Sequence, residues 1–377
     1  MRQVIALAKK GEGQVSPNPM VGCLVVKDGK IIASGYHERY GGFHAERNAL
    51  QNCREDTEGA ELYVNLEPCC HYGKTPPCTE IIIEKKIKKV YVGCLDSNPK
   101  VAGKGVEILR EQGILVETGI LEQECRALNE VFFHYMEHHM PFLAMKYAMT
   151  LDGKIACENG DSKWVTGEEA RAYVQCLRNR YRGIMAGIQT VLADDPMLNC
   201  RMEGGRSPVR IICDSRLRIP LDSQIVKTAA QIETIVAWNR ERAEKDKGQG
   251  PLDEILRELT DRGVILMDAP ARERDGMLQL DLGCLMQKLA ERGIDSILLE
   301  GGGTLNASIL REGLVQRIYA FVAPKLVAGA KAKSPVEGVG ISRMRDAVLL
   351  QETETTMYGK DICITGRIGG KECLPEL

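Results

Sequence analysis

His44-Ala45-Glu46, followed by Pro68-Cys69 and then Pro76-Pro77-Cys78, sets the tightest limit on what the first third of this chain can become. One imidazole and two thiolates suit zinc, and three such ligands leave the fourth tetrahedral position open. To meet on one ion they must converge from separate segments. His44 is expected to open a helix running to about Cys53. Glu61-Leu62-Tyr63-Val64-Asn65-Leu66 reads as a strand that delivers Cys69, and a helix is expected from Cys78 to Lys86. Strands alternating with helices then make residues 1 to about 140 an α/β sandwich.

Zinc lowers the pKa of a water at its open position from about 15.7 to roughly 7. Glu46, two residues from His44 and not itself a ligand, is placed to carry protons. That combination is the equipment of hydrolytic nucleobase deamination. The spacing leaves alternatives open. Eight residues separate Cys69 from Cys78, where the general deaminase pattern has two, and Cys70 stands beside Cys69 as a competing ligand. Cys69 is preferred because it follows Pro68, which suits a thiolate at a turn into a helix, where the helix N-terminus stabilises negative sulfur. A closed structural zinc site would instead recruit Cys70 or His71 as a fourth ligand.

The 377 residues suffice for two domains, and a hydrophobic share of 44% suffices for two cores. Asp and Glu number 52 against 50 Lys and Arg, and aromatics make up only 5%, so no nucleic-acid surface is advertised. Fourteen cysteines without regular spacing read as reduced thiols plus one metal site. No apolar run approaches the roughly 20 residues that span a bilayer. The expectation is a soluble, cytoplasmic protein. Val21–Val26 and Ile31–Gly35 flank Asp28-Gly29 as a hairpin. Residues 121–139 read as one long helix ending before Pro141, which places a domain boundary at 140/141. The second domain is expected over 141–368, with 369–377 a tail.

The second half offers weaker signals. Phe142–Ala148 reads as a central strand in which Lys146 is a lone cation, costly unless it meets an anion. Glu300-Gly301-Gly302-Gly303-Thr304 between a strand and a helix would let backbone approach a phosphate. It does not complete a Rossmann fingerprint, because Asn306 stands where the third glycine belongs. Thr150–Lys154 and Thr190–Pro196 read as turns, and 241–250 as a solvated charged loop. Arg178 and Arg201 are candidates for a bidentate phosphate clamp. These patterns suggest a nucleotide-like phosphate site and do not define a reaction.

Longer stretches carry a resemblance. Pro17-Asn18-Pro19-Met20-Val21-Gly22, Gly35-Tyr36-His37, His44-Ala45-Glu46, Leu66 to Cys78, Asp96-Ser97-Asn98-Pro99, Ala148 to Lys154, Thr190 to Pro196, Asp214-Ser215 and Glu300 to Gly303 together resemble the bifunctional riboflavin-biosynthesis deaminase/reductases over nearly the whole chain. The gap between Cys69 and Cys78 matches that family.

The resemblance implies a cytidine-deaminase-like α/β/α sandwich followed by a dihydrofolate-reductase-like α/β domain. It implies zinc on His44, Cys69 and Cys78, with Glu46 as proton donor, and Asn18, His37, His71, Lys74 and Asn98 around the first substrate site. In the second half it implies NADPH against Ala148, Trp164, Thr190, Asp194, Ser215, Gly302, Gly303, Thr304, Leu305, Asn306, Ala307 and Ser308. Ser162, Arg178, Leu198, Arg201 and Glu300 would contact substrate, and Lys146, Asp194 and Glu300 would lie nearest the hydride transfer, orienting and supplying protons. The implied reactions are hydrolytic deamination of a phosphoribosylated diaminopyrimidine, then reduction of its ribosyl group to ribityl. The partners implied are that small molecule and further copies of the chain in a homo-oligomer, with no nucleic acid and no membrane.

Overall fold

The computed structural model describes residues 1–274 and 277–369, so only residue 369 of the expected tail lies among them. Two compact units divide the chain, Met1–Met140 and a second beginning at Pro141.

The first unit is built on strands β1 (Gly22–Lys27), β2 (Lys30–Tyr36), β3 (Glu61–Leu66), β4 (Lys89–Cys94) and β5 (Leu115–Glu117), in the order β2-β1-β3-β4-β5. β1 pairs antiparallel with β2 and β3, while β3, β4 and β5 run parallel. Asp28 and Gly29 both take positive φ, 51° and 76°, the two-residue turn whose twist matches a hairpin. Cys23, Leu24 and Val25 are buried in succession, and because alternate residues face opposite sides, both faces of the sheet are covered. The helix Ala45–Gln51 lies so close to β2 that a Cβ on Gly35 would come within 2.5 Å of the Ala49 nitrogen. Glycine at 35 therefore sets how deeply His44 and Glu46 are seated.

One expected element divides. Residues 121–139 form two helices, Glu122–Leu128 and Glu130–His138, rather than one. Asn129 between them is buried, and its amide acts as a substitute backbone: Met20 N–H donates to Oδ1 at 2.8 Å, and Nδ2 donates to the Met20 carbonyl at 2.9 Å. A side chain spent on a distant strand entry fixes a break that hydrophobic periodicity does not reveal.

The second unit contains β6 (Phe142–Thr150), β7 (Gly183–Gly187), β8 (Val209–Cys213), β9 (Thr234–Trp238), β10 (Val264–Asp268), the separate hairpin β11 (Ala271–Arg274) and β12 (Met277–Leu280), β13 (Ser296–Leu299), β14 (Arg317–Ala323), β15 (Leu350–Tyr358) and β16 (Asp361–Ile368). The large sheet runs β10-β9-β8-β7-β13-β6-β14-β16-β15, parallel from β10 to β14 and antiparallel beyond. Phe142, Leu143, Ala144 and Met145 are fully buried, as an interior strand between two parallel neighbours requires. The C-terminal ends of β7, β8, β9 and β13 line up along one edge, where open α/β sheets bind ligands.

Three corrections apply here. Residues 240–247 form the helix Arg240–Lys247 and not a loop: Asn239 Oδ1 accepts the Arg242 N–H at 3.1 Å, and Ala243 is buried beneath a polar surface. Thr190 to Asp194 belong to the helix Ile188–Asp194, with the turn coming only at Asp195, φ 39°. β15 and β16 were absent from the sequence pattern, since the outer strand Leu350–Tyr358 is mostly exposed and reads as polar. Among the described residues no helix is long and apolar enough to cross a membrane, and the described cysteines are free thiols.

Candidate active sites

Three chain segments deliver the metal-ligating atoms. His44 caps the helix Ala45–Gln51 in an extended conformation, Cys69 lies in the loop leaving β3, and Cys78 begins the helix Cys78–Glu84. Their ligand atoms all lie within 4.8 Å of one another. His44 Nδ1 is 3.4 Å from Cys69 Sγ and 3.5 Å from Cys78 Sγ. Cys78, not Cys69, opens the helix, yet the helix end still serves Cys69, whose sulfur accepts the Cys78 N–H at 3.3 Å. Hydrogen bonding from Cys78 and the nearby His44 outweigh burial and lower the Cys69 thiol to about 4. Cys70 points elsewhere, its thiol donating to the Lys100 carbonyl at 3.6 Å. The donor set is thus one nitrogen and two sulfurs, which fits zinc with a position left open.

Glu46 is 2% exposed, and its Oε2 has no hydrogen-bond partner within the protein. Burial pushes its carboxyl up to about 7. It faces a cavity of about 230 Å³ together with His44, Cys69, Asn18, His37, His71, Lys74 and Asn98, so all five expected pocket residues converge. His37 is held neutral in a defined tautomer: a carbonyl only accepts, so Nδ1–H donates to Phe43 O at 2.9 Å, leaving Nε2 to accept from Asn18 Nδ2 at 3.2 Å. Lys74 lies 3.9 Å from the centre of the Tyr40 ring. Tyr40, Thr75 and Asp96 also line the cavity, unforeseen from sequence. Burial raises the Asp96 carboxyl to about 6. Glu67 ties the floor together by accepting the N–H groups of Asp96, Gly103 and Val106.

In the second unit, Glu300 leaves β13 beside Lys146 of β6. Arg178 grips it with a fork, Nε to Oε1 at 2.8 Å and Nη2 to Oε2 at 3.1 Å, and Lys146 Nζ lies 3.7 Å from Oε2. Arg178 also donates through Nη1 to the Asn199 carbonyl at 3.1 Å. A separate cavity of about 600 Å³ follows the C-terminal ends of β7, β8 and β13. Thr190, Ser215, Gly302, Gly303, Thr304, Leu305 and Ser308 line it as expected.

Other expected residues lie elsewhere. Asp194 is exposed and has no hydrogen bond or ion pair to Lys146 or Glu300 among the described residues. The Leu198 side chain belongs to the core, leaving only backbone for a ligand, at φ 47°. Asn306 is fully buried, donating to the Pro335 carbonyl at 2.8 Å. Trp164 is 62% exposed, with the Arg171 guanidinium 4.6 Å from its ring centre. Ala148, Ser162 and Ala307 are half-buried, and Arg201 is exposed with its backbone N–H on Gln175 Oε1. None of these eight lines the large cavity. Arg216, Arg218 and Arg242 do, and sequence reasoning passed over all three.

The family model of the RibD C-terminal domain matches residues 141–364, and that of the cytidine and deoxycytidylate deaminase zinc-binding region matches 1–94. The riboflavin biosynthesis protein RibD of Actinobacillus pleuropneumoniae is 51% identical over 97% of this chain and 93% of its own length. The chain belongs to the RibD family. An Acinetobacter baumannii RibD structure superposes with a TM-score of 0.84 at 36% identity, over 98% of this chain and 97% of the other. A Thermotoga maritima structure described as a diaminohydroxyphosphoribosylaminopyrimidine deaminase/5-amino-6-(5-phosphoribosylamino)uracil reductase gives 0.81 at 37%, over the same shares. As a RibD protein, the chain is an enzyme of riboflavin biosynthesis with a cytidine-deaminase-like hydrolytic half and an oxidoreductase half. Zinc and NADPH are the cofactors of those halves.

Proposed function

We propose that residues 1–140 convert 2,5-diamino-6-(5-phosphoribosylamino)pyrimidin-4(3H)-one to 5-amino-6-(5-phosphoribosylamino)uracil, and that residues 141–368 then reduce the ribosyl group of that product to ribityl. Zinc on His44, Cys69 and Cys78 would make water nucleophilic near neutral pH, and NADPH would supply hydride. Glu46 takes a proton from the attacking water, gives it to the ring nitrogen, and assists departure of ammonia. His37 and Asn18 form a fixed donor–acceptor pair at the wall, and Lys74 with Tyr40 presents a cation to the phosphoribosyl end. In the reductase half Lys146, Glu300 and Arg178 form the charged framework next to the glycine turn, and the Gly302–Leu305 helix start offers free N–H groups to pyrophosphate. The chain acts in the cytoplasm as a homo-oligomer on a small molecule.

The observation that carries this reading is the unpartnered, buried Glu46 oxygen in the same cavity as the His44–Cys69–Cys78 triad. A closed structural zinc site has no use for it. Glu46→Gln is expected to keep one zinc per chain by metal analysis and to keep NADPH consumption on the deaminated substrate, while ammonia release falls at least about a hundredfold. Unchanged ammonia release would remove the mechanism.

A further inference from the structure

The first cavity is lined by the carboxyl groups of Glu46, Glu67 and Asp96 and, among the described residues, by a single lysine or arginine, Lys74. A phosphate dianion is disfavoured among those acids, so a phosphorylated substrate enters ring first and keeps its phosphate beside Lys74. Lys74 is exposed, which puts it at the mouth, and it has no carboxylate in ion-pair range among the described residues. Its partner is the Tyr40 ring, with Nζ 3.9 Å from the ring centre. The backbone makes room for this contact: Gly41 has φ 80°, and a Cβ there would stand 3.4 Å from Lys74 Cδ. Tyr40 is itself anchored, its N–H donating to the Gln14 carbonyl at 3.0 Å, and the Gly42 N–H closes a turn on the Arg39 carbonyl at 3.0 Å.

The kind of partner decides what Lys74 can do. A carboxylate would hold the ammonium and also cancel its charge. An aromatic face attracts the cation through its quadrupole and leaves the charge intact, with N–H groups still able to donate. An untethered lysine would lose its rotamer freedom each time a ligand arrived, and that loss weakens binding. We infer that Tyr40 is a positioning residue of the deaminase half: its ring holds Lys74 ready at the cavity mouth and so sets how tightly the phosphoribosyl end of the substrate is gripped. Tyr40 acts through Lys74 on binding and not on the reacting ring, where Glu46 and the His44–Cys69–Cys78 triad stand. The Tyr40 hydroxyl has no hydrogen bond among the described residues, so the ring alone is the working part. This rests on the reading of Lys74 as the cation for the phosphoribosyl end.

The experiment follows ammonia release by the zinc-loaded, full-length protein on 2,5-diamino-6-(5-phosphoribosylamino)pyrimidin-4(3H)-one and on the same compound without its phosphate. Tyr40→Leu is expected to raise KM for the phosphorylated substrate about two- to fivefold, with kcat within about 1.5-fold of wild type. KM for the dephosphorylated compound should stay as in wild type. Tyr40→Phe, which keeps the ring, should match wild type on both. Lys74→Met should raise KM for the phosphorylated substrate at least about tenfold, and adding Tyr40→Leu to it should change nothing more. Four results overturn the inference: an unchanged KM in Tyr40→Leu, an equal rise for both substrates, a Tyr40→Phe effect as large as that of Tyr40→Leu, or a further rise in the double variant. If Lys74→Met discriminates between the two substrates as wild type does, the reading of Lys74 itself falls instead.

Discussion

Glu300 is the acid between two cations, and its removal tests how the reductase half is held. Side-chain exposures are 11% for Glu300, 15% for Lys146 and 14% for Arg178, so solvent screens the trio only weakly. Burial alone would raise the Glu300 carboxyl, but the charges of Arg178 and Lys146 outweigh it and hold the group at about 2. Lowering a carboxyl from an ordinary 4.5 to about 2 corresponds to about 3 kcal/mol at roughly 1.4 kcal/mol per pH unit. Glu300→Gln keeps the shape and leaves two buried cations facing each other; breaking a buried pair from one side costs about 3–5 kcal/mol. The two routes agree near 3 kcal/mol, which for a unit of this size lowers Tm by about 10 °C. Both tryptophans, Trp164 and Trp238, lie in the second unit, so tryptophan emission during urea or thermal unfolding follows that unit alone. Adding Lys146→Met to Glu300→Gln removes one stranded cation and should recover at least about 1 kcal/mol. A loss below about 1 kcal/mol in the single variant, or no recovery in the double, would refute the assignment of this cluster as mutually stabilising.

The same carboxyl sets an acid dependence. Because its folded value lies below its unfolded one, its contribution is complete above about pH 4.5 and is lost as pH falls toward about 2. The urea midpoint of the second unit should therefore drop more steeply below about pH 5 in wild type than in Glu300→Gln; parallel curves would assign the acid lability to other groups. In the first unit, Asn129→Ala strands the Met20 N–H, while the Met20 carbonyl keeps a bond from Asn65 Nδ2 at 2.9 Å. A stability loss of about 2 kcal/mol and faster hydrogen exchange at Met20 are expected; unchanged exchange there would show that Asn129 is not the clamp.

What could be read in advance follows from how local each constraint is. His44, Cys69 and Cys78 were legible because ligand chemistry admits few residue types and because each stands at an element boundary that its neighbours specify. Lys146 was legible for the converse reason, a cation placed in an apolar strand needs an anion, and Glu300 is there at 3.7 Å. Asn129 was not legible, since a helix break made by a side chain bonded to Met20 leaves no mark on periodicity. The arginine cluster was hidden for a topological reason. Arg216 and Arg242 belong to different strand-to-helix connections, and only the adjacency of β8 and β9 brings them to one wall. The partner of Arg178 was equally hidden, since its fork closes on Glu300, 122 residues away in sequence.

The contrast between the two buried carboxylates bears on the division of labour in each half. Glu46 has an oxygen without a partner in the protein, and burial pushes its carboxyl up to about 7. Glu300 accepts from a guanidinium through both oxygens and is held at about 2, so at neutral pH it stays ionised. A group that is ionised throughout the working range cannot deliver protons efficiently, since general acids act best when their pKa lies near the operating pH. Bonded in this way, Glu300 is placed to position its two cations. It fixes Arg178 and Lys146 in place just ahead of the Gly301-Gly302-Gly303 turn. Burial pulls the Lys146 ammonium down even with Glu300 beside it. The reductase half thus holds its buried acid between two cations, whereas the deaminase half leaves one oxygen of its buried acid without a partner in the protein.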